Sequence, residues 1–142
     1  MPFVSITRLR VRSWRYLPAF LVQSLRSARQ AKSASGNFAV SLLREKKNVY
    51  WTRTVWNSED SMKAFMLGGV HRKAMRSLLE WCDEAAVAHW TQESPQPPTW
   101  QEAHAQIVRI GRPSKVNHPS PAQQQYQIPE PVVAVNKETH WK

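Results

Sequence analysis

One cysteine, Cys82, in 142 residues excludes an intrachain disulfide and a cysteine metal cluster. No stretch reaches the roughly eighteen consecutive apolar residues that a membrane-spanning helix needs. The opening MPFVSITRLRVRSW lacks an apolar segment ending in a small-residue cleavage site, so no secretory leader is expected and a reducing, cytoplasmic setting is. Glycines number only four, and they form neither a phosphate loop nor a dinucleotide-binding set. The five histidines are scattered, none spaced to place two ligands on one helix face, so no metal site is expected. Acid is nearly missing from residues 1–57, where Glu45 stands alone against eleven Lys and Arg.

What is there is a chain of ordinary apolar content, 42%, with a net charge of +10 carried by its N-terminal half. That is enough to build one domain with a core. The charge would attract an acidic ligand, an anionic surface or a nucleic acid. RNA-binding sheets of related topology stack bases on exposed aromatics within a glycine-aromatic consensus. Here the corresponding strand reads NVYWTRT, without that consensus, so nucleic acid is disfavoured.

The pattern along the chain predicts strand one over 2–12, with two departures from strict alternation: Phe3 and Val4 are adjacent, and Leu9 is out of phase with Ile6. Leu17, Phe20, Leu21, Leu25 and Ala28 recur at helical spacing up to about Ser33. Alternation over 38–43 and 49–56 around the polar EKKN turn predicts a hairpin, with Trp51, Arg53 and Val55 on one face and Thr52, Thr54 and Trp56 on the other. Ser58, Glu59 and Asp60 open a second helix. Gly68-Gly69 breaks it before a further helical piece, and a fourth strand follows over 84–91. Thr99 caps a last helix that ends at Gly111 and Pro113. The fold class is therefore α+β: a ferredoxin-like β-α-β-β-α-β sandwich with a four-stranded antiparallel sheet over residues 1–112. Residues 113–142, rich in proline and glutamine, read as an extended or disordered tail; Val132, Val133 and Val135 are competent to add a strand. With helices on one face only, the other face would be open to water. A homodimer with facing sheets would cover it.

The segment VWNSEDSMKAF, followed by Gly69-Val70-His71-Arg72, resembles the strand-to-helix signature of the dimeric α/β-barrel superfamily. This group includes the antibiotic-biosynthesis, haem-degrading and spheroidene monooxygenases. Thr7-Arg8-Leu9-Arg10 and Trp100-Gln101-Glu102-Ala103 extend the resemblance, over about residues 2–120, to an uncharacterised bacterial family of that group. The resemblance implies a homodimer and a monooxygenase-like site taking a flat apolar or acidic small molecule between sheet and helices. A non-catalytic binder or structural dimer of the same fold is the alternative. The haem-degrading branch uses an asparagine, a tryptophan and a ligating histidine. On this chain those positions fall on Thr7, Trp56 and Met75, which argues against classical haem degradation unless His71 supplies the iron ligand. Beyond haem the resemblance assigns no cofactor and leaves flavin open.

Within that frame, His71 is the candidate base and Arg53 the candidate anion partner, since a mid-strand arginine requires an acid, carbonyls or an anionic ligand. Alternatively, His71 positions the break between helices. Trp51, Trp56 and Phe65 are candidate walls, with Arg72 and His89 as further substrate-binding candidates; each also has an ordinary reading in the core or on a solvated face. Cys82 beside Asp83 reads as structural, because the adjacent acid raises a thiol pKa.

Overall fold

The computed structural model describes residues 1–134 and 137–141; the side chains of 69–71 and 141 are outside the described residues. The chain runs β1 (Phe3–Val11), α1 (Leu17–Ser33), β2 (Asn37–Glu45), β3 (Val49–Trp56), α2 (Glu59–Met66), α3 (Gly69–Trp81), β4 (Cys82–Thr91), α4 (Trp100–Ile110), β5 (Arg112–Pro113), α5 (Pro121–Gln124) and β6 (Glu138–Trp141). The strands form one antiparallel sheet in the order β5-β4-β1-β3-β2-β6. The inner four are the ferredoxin-like arrangement. The sheet has six strands rather than four because the segment after α4 contributes one to each edge.

Local chemistry fixes the helix starts. Ser58 Oγ accepts from the Ser61 N–H, with Glu59 and Asp60 in the first turn of α2, where carboxylates complement the helix dipole. Thr99 and Glu102 exchange side-chain and backbone hydrogen bonds at the head of α4, a complete capping box. Gly36 turns the chain from α1 into β2 at φ +85°, a conformation that costs a residue bearing a Cβ.

The sheet is covered on both sides, which accounts for the imperfect alternation of β1. Phe3 packs with Ala28, Ala31, Trp56 and Met62 beneath α1 and α2. Val4 and Ile6 pack on the opposite face with Trp51, Val55, Trp100, Ala103 and Ile107. The opposite face is therefore not open. α4 lies across it, and Tyr126 and Ile128 extend the cover. The solvent-exposed face that would have required a second copy is closed by the chain's own C-terminal segment.

That segment is likewise not a separate tail. Tyr126 donates its hydroxyl hydrogen to the Ile107 carbonyl at 2.6 Å, and the Gln123 amide bonds the backbone of Ala85 and Ser114. β6 pairs with β2, Ser41 opposite His140 and Leu43 opposite Glu138. The added strand lies at 138–141 rather than at the valines; Val135 is outside the described residues. No helix among the described residues is long and apolar enough to cross a membrane.

Candidate functional site

Alternation in the central strands brings an unusual set of polar side chains under the helices. On that face the register aligns Val40–Thr54–Ser5–His89 and, one row along, Leu42–Thr52–Thr7–Val87. These two rows floor a cavity of about 130 Å³. Its roof is apolar: Ala28 and Ala31 of α1, Met62 and Phe65 of α2, Met75 and Leu78 of α3. The small alanines leave the room that larger side chains would fill. Gln23, Ser24 and Ser27 of α1 add polar groups at the side.

Thr54 is the engaged hydroxyl of the floor. It accepts from Trp56 Nε1 at 2.9 Å and donates to the Ser5 carbonyl at 3.5 Å. The hydroxyls of Ser5, Thr7 and Thr52 form no hydrogen bond with a described residue. These three residues are half-buried and within reach of water, so the row offers hydroxyls that a ligand entering the cavity can engage.

His89 is the titratable residue among the described lining. Its ring lies 5.8 Å from that of Phe3. Burial, reinforced by Arg112 and opposed by Glu59, holds its pKa below the ordinary imidazole value. It is therefore neutral at neutral pH and able to accept a proton.

The sequence-derived candidates divide between the two faces. Phe65 and His89 line the cavity. Trp56 is fully buried behind it, its ring 5.3 Å from that of Phe65, and acts on the cavity through the Thr54 hydroxyl. Arg72 is exposed on α3, away from the lining. His71 falls in the first turn of α3, and its side chain is outside the described residues. Trp51 and Arg53 are on the other face and take no part in this cavity, because odd-numbered positions of β3 point toward α4.

On that face the two terminal nitrogens of Arg53 find partners, while its buried Nε has none among the described residues. It donates to the Pro98 carbonyl at 2.6 Å, to Ser41 Oγ at 2.9 Å and to Glu138 at 3.1 Å, and stacks 4.2 Å over Trp100. Trp51 donates to Glu45 at 2.6 Å. Arg8 pairs with Glu84 at 2.7 Å, and Ser120 donates to the same carboxylate. Burial alone would raise the Glu84 pKa, but Arg8 and Ser120 outweigh it and hold the group below its ordinary value. Part of the N-terminal positive charge is thus spent inside the molecule. Burial and Asp83 push the Cys82 thiol up to about 12, so it is no nucleophile at neutral pH.

A second opening of about 360 Å³ adjoins the cavity along α1 and the β2–β3 hairpin. Leu9, Phe20, Ser24, Leu42 and Thr52 border both spaces. Arg44, Lys137 and Thr139 stand at this groove, and Trp51 also borders it.

The cavity, at about 130 Å³, is too small for a porphyrin, and Met75 lines it where the resemblance implies a ligating histidine; the side chain of His71 is outside the described residues. No cluster of three metal-ligating side chains occurs among the described residues.

Of the floor hydroxyls, the sequence singled out only Thr7, through the resemblance; Ser5, Thr52 and Thr54 went unassigned as site residues. The available signal was hydroxyl residues at alternate positions of two strands, on a face that the helices must cover.

The family model for a domain of unknown function, DUF3291, matches residues 17–127. No curated protein matches the chain significantly. Among solved structures, the chain is similar to a candidate antibiotic biosynthesis monooxygenase from Nitrosomonas europaea, at 13% identity and TM-score 0.60, over 67% of this chain and 93% of that one. It is also similar to a single-site variant of SnoaB, a cofactor-independent oxygenase from Streptomyces nogalater, at 19% identity and TM-score 0.56, over 66% and 94%. A conserved protein from Methanosarcina mazei gives 11% identity and TM-score 0.59, over 66% and 94%. At these identities the likeness is one of fold.

Proposed function

The chain belongs to the DUF3291 family, and from that premise we propose that it is a monooxygenase-like protein binding a flat apolar molecule in the cavity between the sheet and α1–α3. The observation that carries this reading is the unengaged hydroxyl floor of Ser5, Thr7 and Thr52 under an apolar roof. A cavity of ~150 Å³ with apolar walls holds one benzene ring, and this one, at about 130 Å³, is close to that size. The ring lies between the floor and Phe65, with a hydroxyl or carbonyl hydrogen-bonded to Thr7 or Thr52.

The chemistry open to these residues is proton removal in an apolar cage. Neutral His89 accepts a proton from the bound molecule, and the carbanion or phenolate so formed is the electron donor to dioxygen. One oxygen atom enters the substrate, and the other leaves as water with two hydrogens from the substrate, so no external reductant is required. A SnoaB variant of the same fold comes from a protein described as a cofactor-independent oxygenase, which supports this class.

The test uses 4-methylphenol for binding and catechol for turnover. Amide shifts at Thr7 and Thr52 on titration with 4-methylphenol, lost in Ala28→Leu, support the cavity as the site. No binding overturns it. Oxygen uptake with catechol above its autoxidation rate, lost in His89→Gln, supports catalysis; binding without uptake selects the non-catalytic binder.

A further inference from the structure

We infer that the natural ligand is an amphipathic monoanion, whose apolar end occupies the cavity and whose carboxylate lies in the adjoining groove between Arg44 and Lys137. This rests on the cavity reading above and specifies the ligand class for it.

Three observations converge. The groove and the cavity share Leu9, Phe20, Leu42 and Thr52, so the two spaces adjoin and an elongated molecule reaching from one to the other passes these side chains. The groove wall along α1 is apolar and open to solvent, with Leu21 39% and Leu25 46% exposed, as suits an alkyl or aryl chain passing between the two spaces. The charged side chains bordering the groove are both cations. Arg44 and Lys137 form no ion pair with a described residue. The neighbouring acids are committed elsewhere: Glu45 accepts from Trp51 Nε1 and the Val132 N–H, and Glu138 pairs with Arg53. Two unpaired cations beside an apolar slot complement a single anionic head on an apolar body.

The β6 segment is part of this arrangement. Thr139 stands opposite Leu42, extending the Leu42–Thr52–Thr7 row, while Glu138 bonds Arg53 on the other face. Lys137 therefore reaches the groove only when β6 is paired, and an anion bridging Arg44 and Lys137 ties the strand down.

The test is calorimetric titration of the full-length protein with 6-phenylhexanoate and with uncharged 6-phenylhexanol. The carboxylate should bind at least about tenfold more tightly at low salt, and the preference should shrink in 0.5 M salt. Arg44→Gln and Lys137→Gln, both at exposed positions, should each weaken the carboxylate by about fivefold and leave the alcohol unchanged. Equal binding of acid and alcohol, or indifference to both substitutions, overturns the anion subsite while leaving the apolar cavity standing. Binding of neither compound overturns both.

Discussion

Arg53 of β3 and Glu138 of β6 meet at 3.1 Å across 85 positions of sequence. The arginine is nearly buried, its side chain 8% exposed, and burial lowers its pKa while Glu138 restores part of the loss. Its charge is thus held at the centre of the sheet by a strand from the far end of the chain.

Arg53→Ala should therefore cost about 3 kcal/mol, since it strips the partners from Ser41, Glu138 and the Pro98 carbonyl together. Arg44→Ala, at an exposed position, should stay within about 0.5 kcal/mol. Urea melts of the two variants read the difference. Equal losses would contradict the assigned register of β3.

Truncation after residue 134 removes β6 with Glu138 and His140, whose imidazole shares a 2.6 Å hydrogen bond with Ser41. The melting temperature should fall by more than about 5 °C, a loss of 1 kcal/mol or more in a domain of this size. An unchanged melt would show that the strand contributes nothing to the sheet.

Thr7→Val and Thr52→Val should be neutral or stabilising by up to about 1 kcal/mol, because each replaces an unengaged hydroxyl with a methyl group. The same variants should weaken 4-methylphenol binding. Stability rising as binding falls is the signature of side chains kept for a ligand. Loss of stability in both would assign the hydroxyls to the fold instead.

His89 gives the pH prediction. Its folded pKa lies below the ordinary value of about 6.5. As pH falls through 6.5, the unfolded chain takes up the proton first, so stability declines over that window. Thermal melts between pH 7.5 and 5.5 should fall less steeply in His89→Gln than in the parent protein. Equal slopes would mean that the imidazole titrates alike in both states.

Cys82, buried with its pKa pushed up to about 12, should resist iodoacetamide at pH 8 in the folded protein and react once urea unfolds it. Rapid alkylation of the native protein would contradict its burial.

The sequence made the ferredoxin-like elements legible because each has a short-range cause: Ser58 and Thr99 cap helices, Gly68-Gly69 breaks one, and alternation sorts the faces of β3. It misled where covering partners come from far along the chain. Proline and glutamine in 113–142 suggested detachment, yet Tyr126, Gln123 and Glu138 each bond to backbone or charge that only the folded sheet presents. The same limit scattered the candidate site. Trp51 and Arg53 looked functional because large or charged residues sit mid-strand, and nothing local shows that a distant glutamate and a proline carbonyl satisfy the arginine. Thr7 was marked only by resemblance, and Thr52 acquires meaning only when the register sets the two side by side.

The two rows flooring the cavity share β3 with the charged core behind it, one residue out of phase. A one-residue slip in the register of Val49–Trp56 would turn Arg53 and Trp51 toward the cavity and bury Thr52 and Thr54 against α4. Both compartments would be lost at once. Keeping both compartments therefore requires keeping this register, with each side of the sheet set by every second residue of the strand.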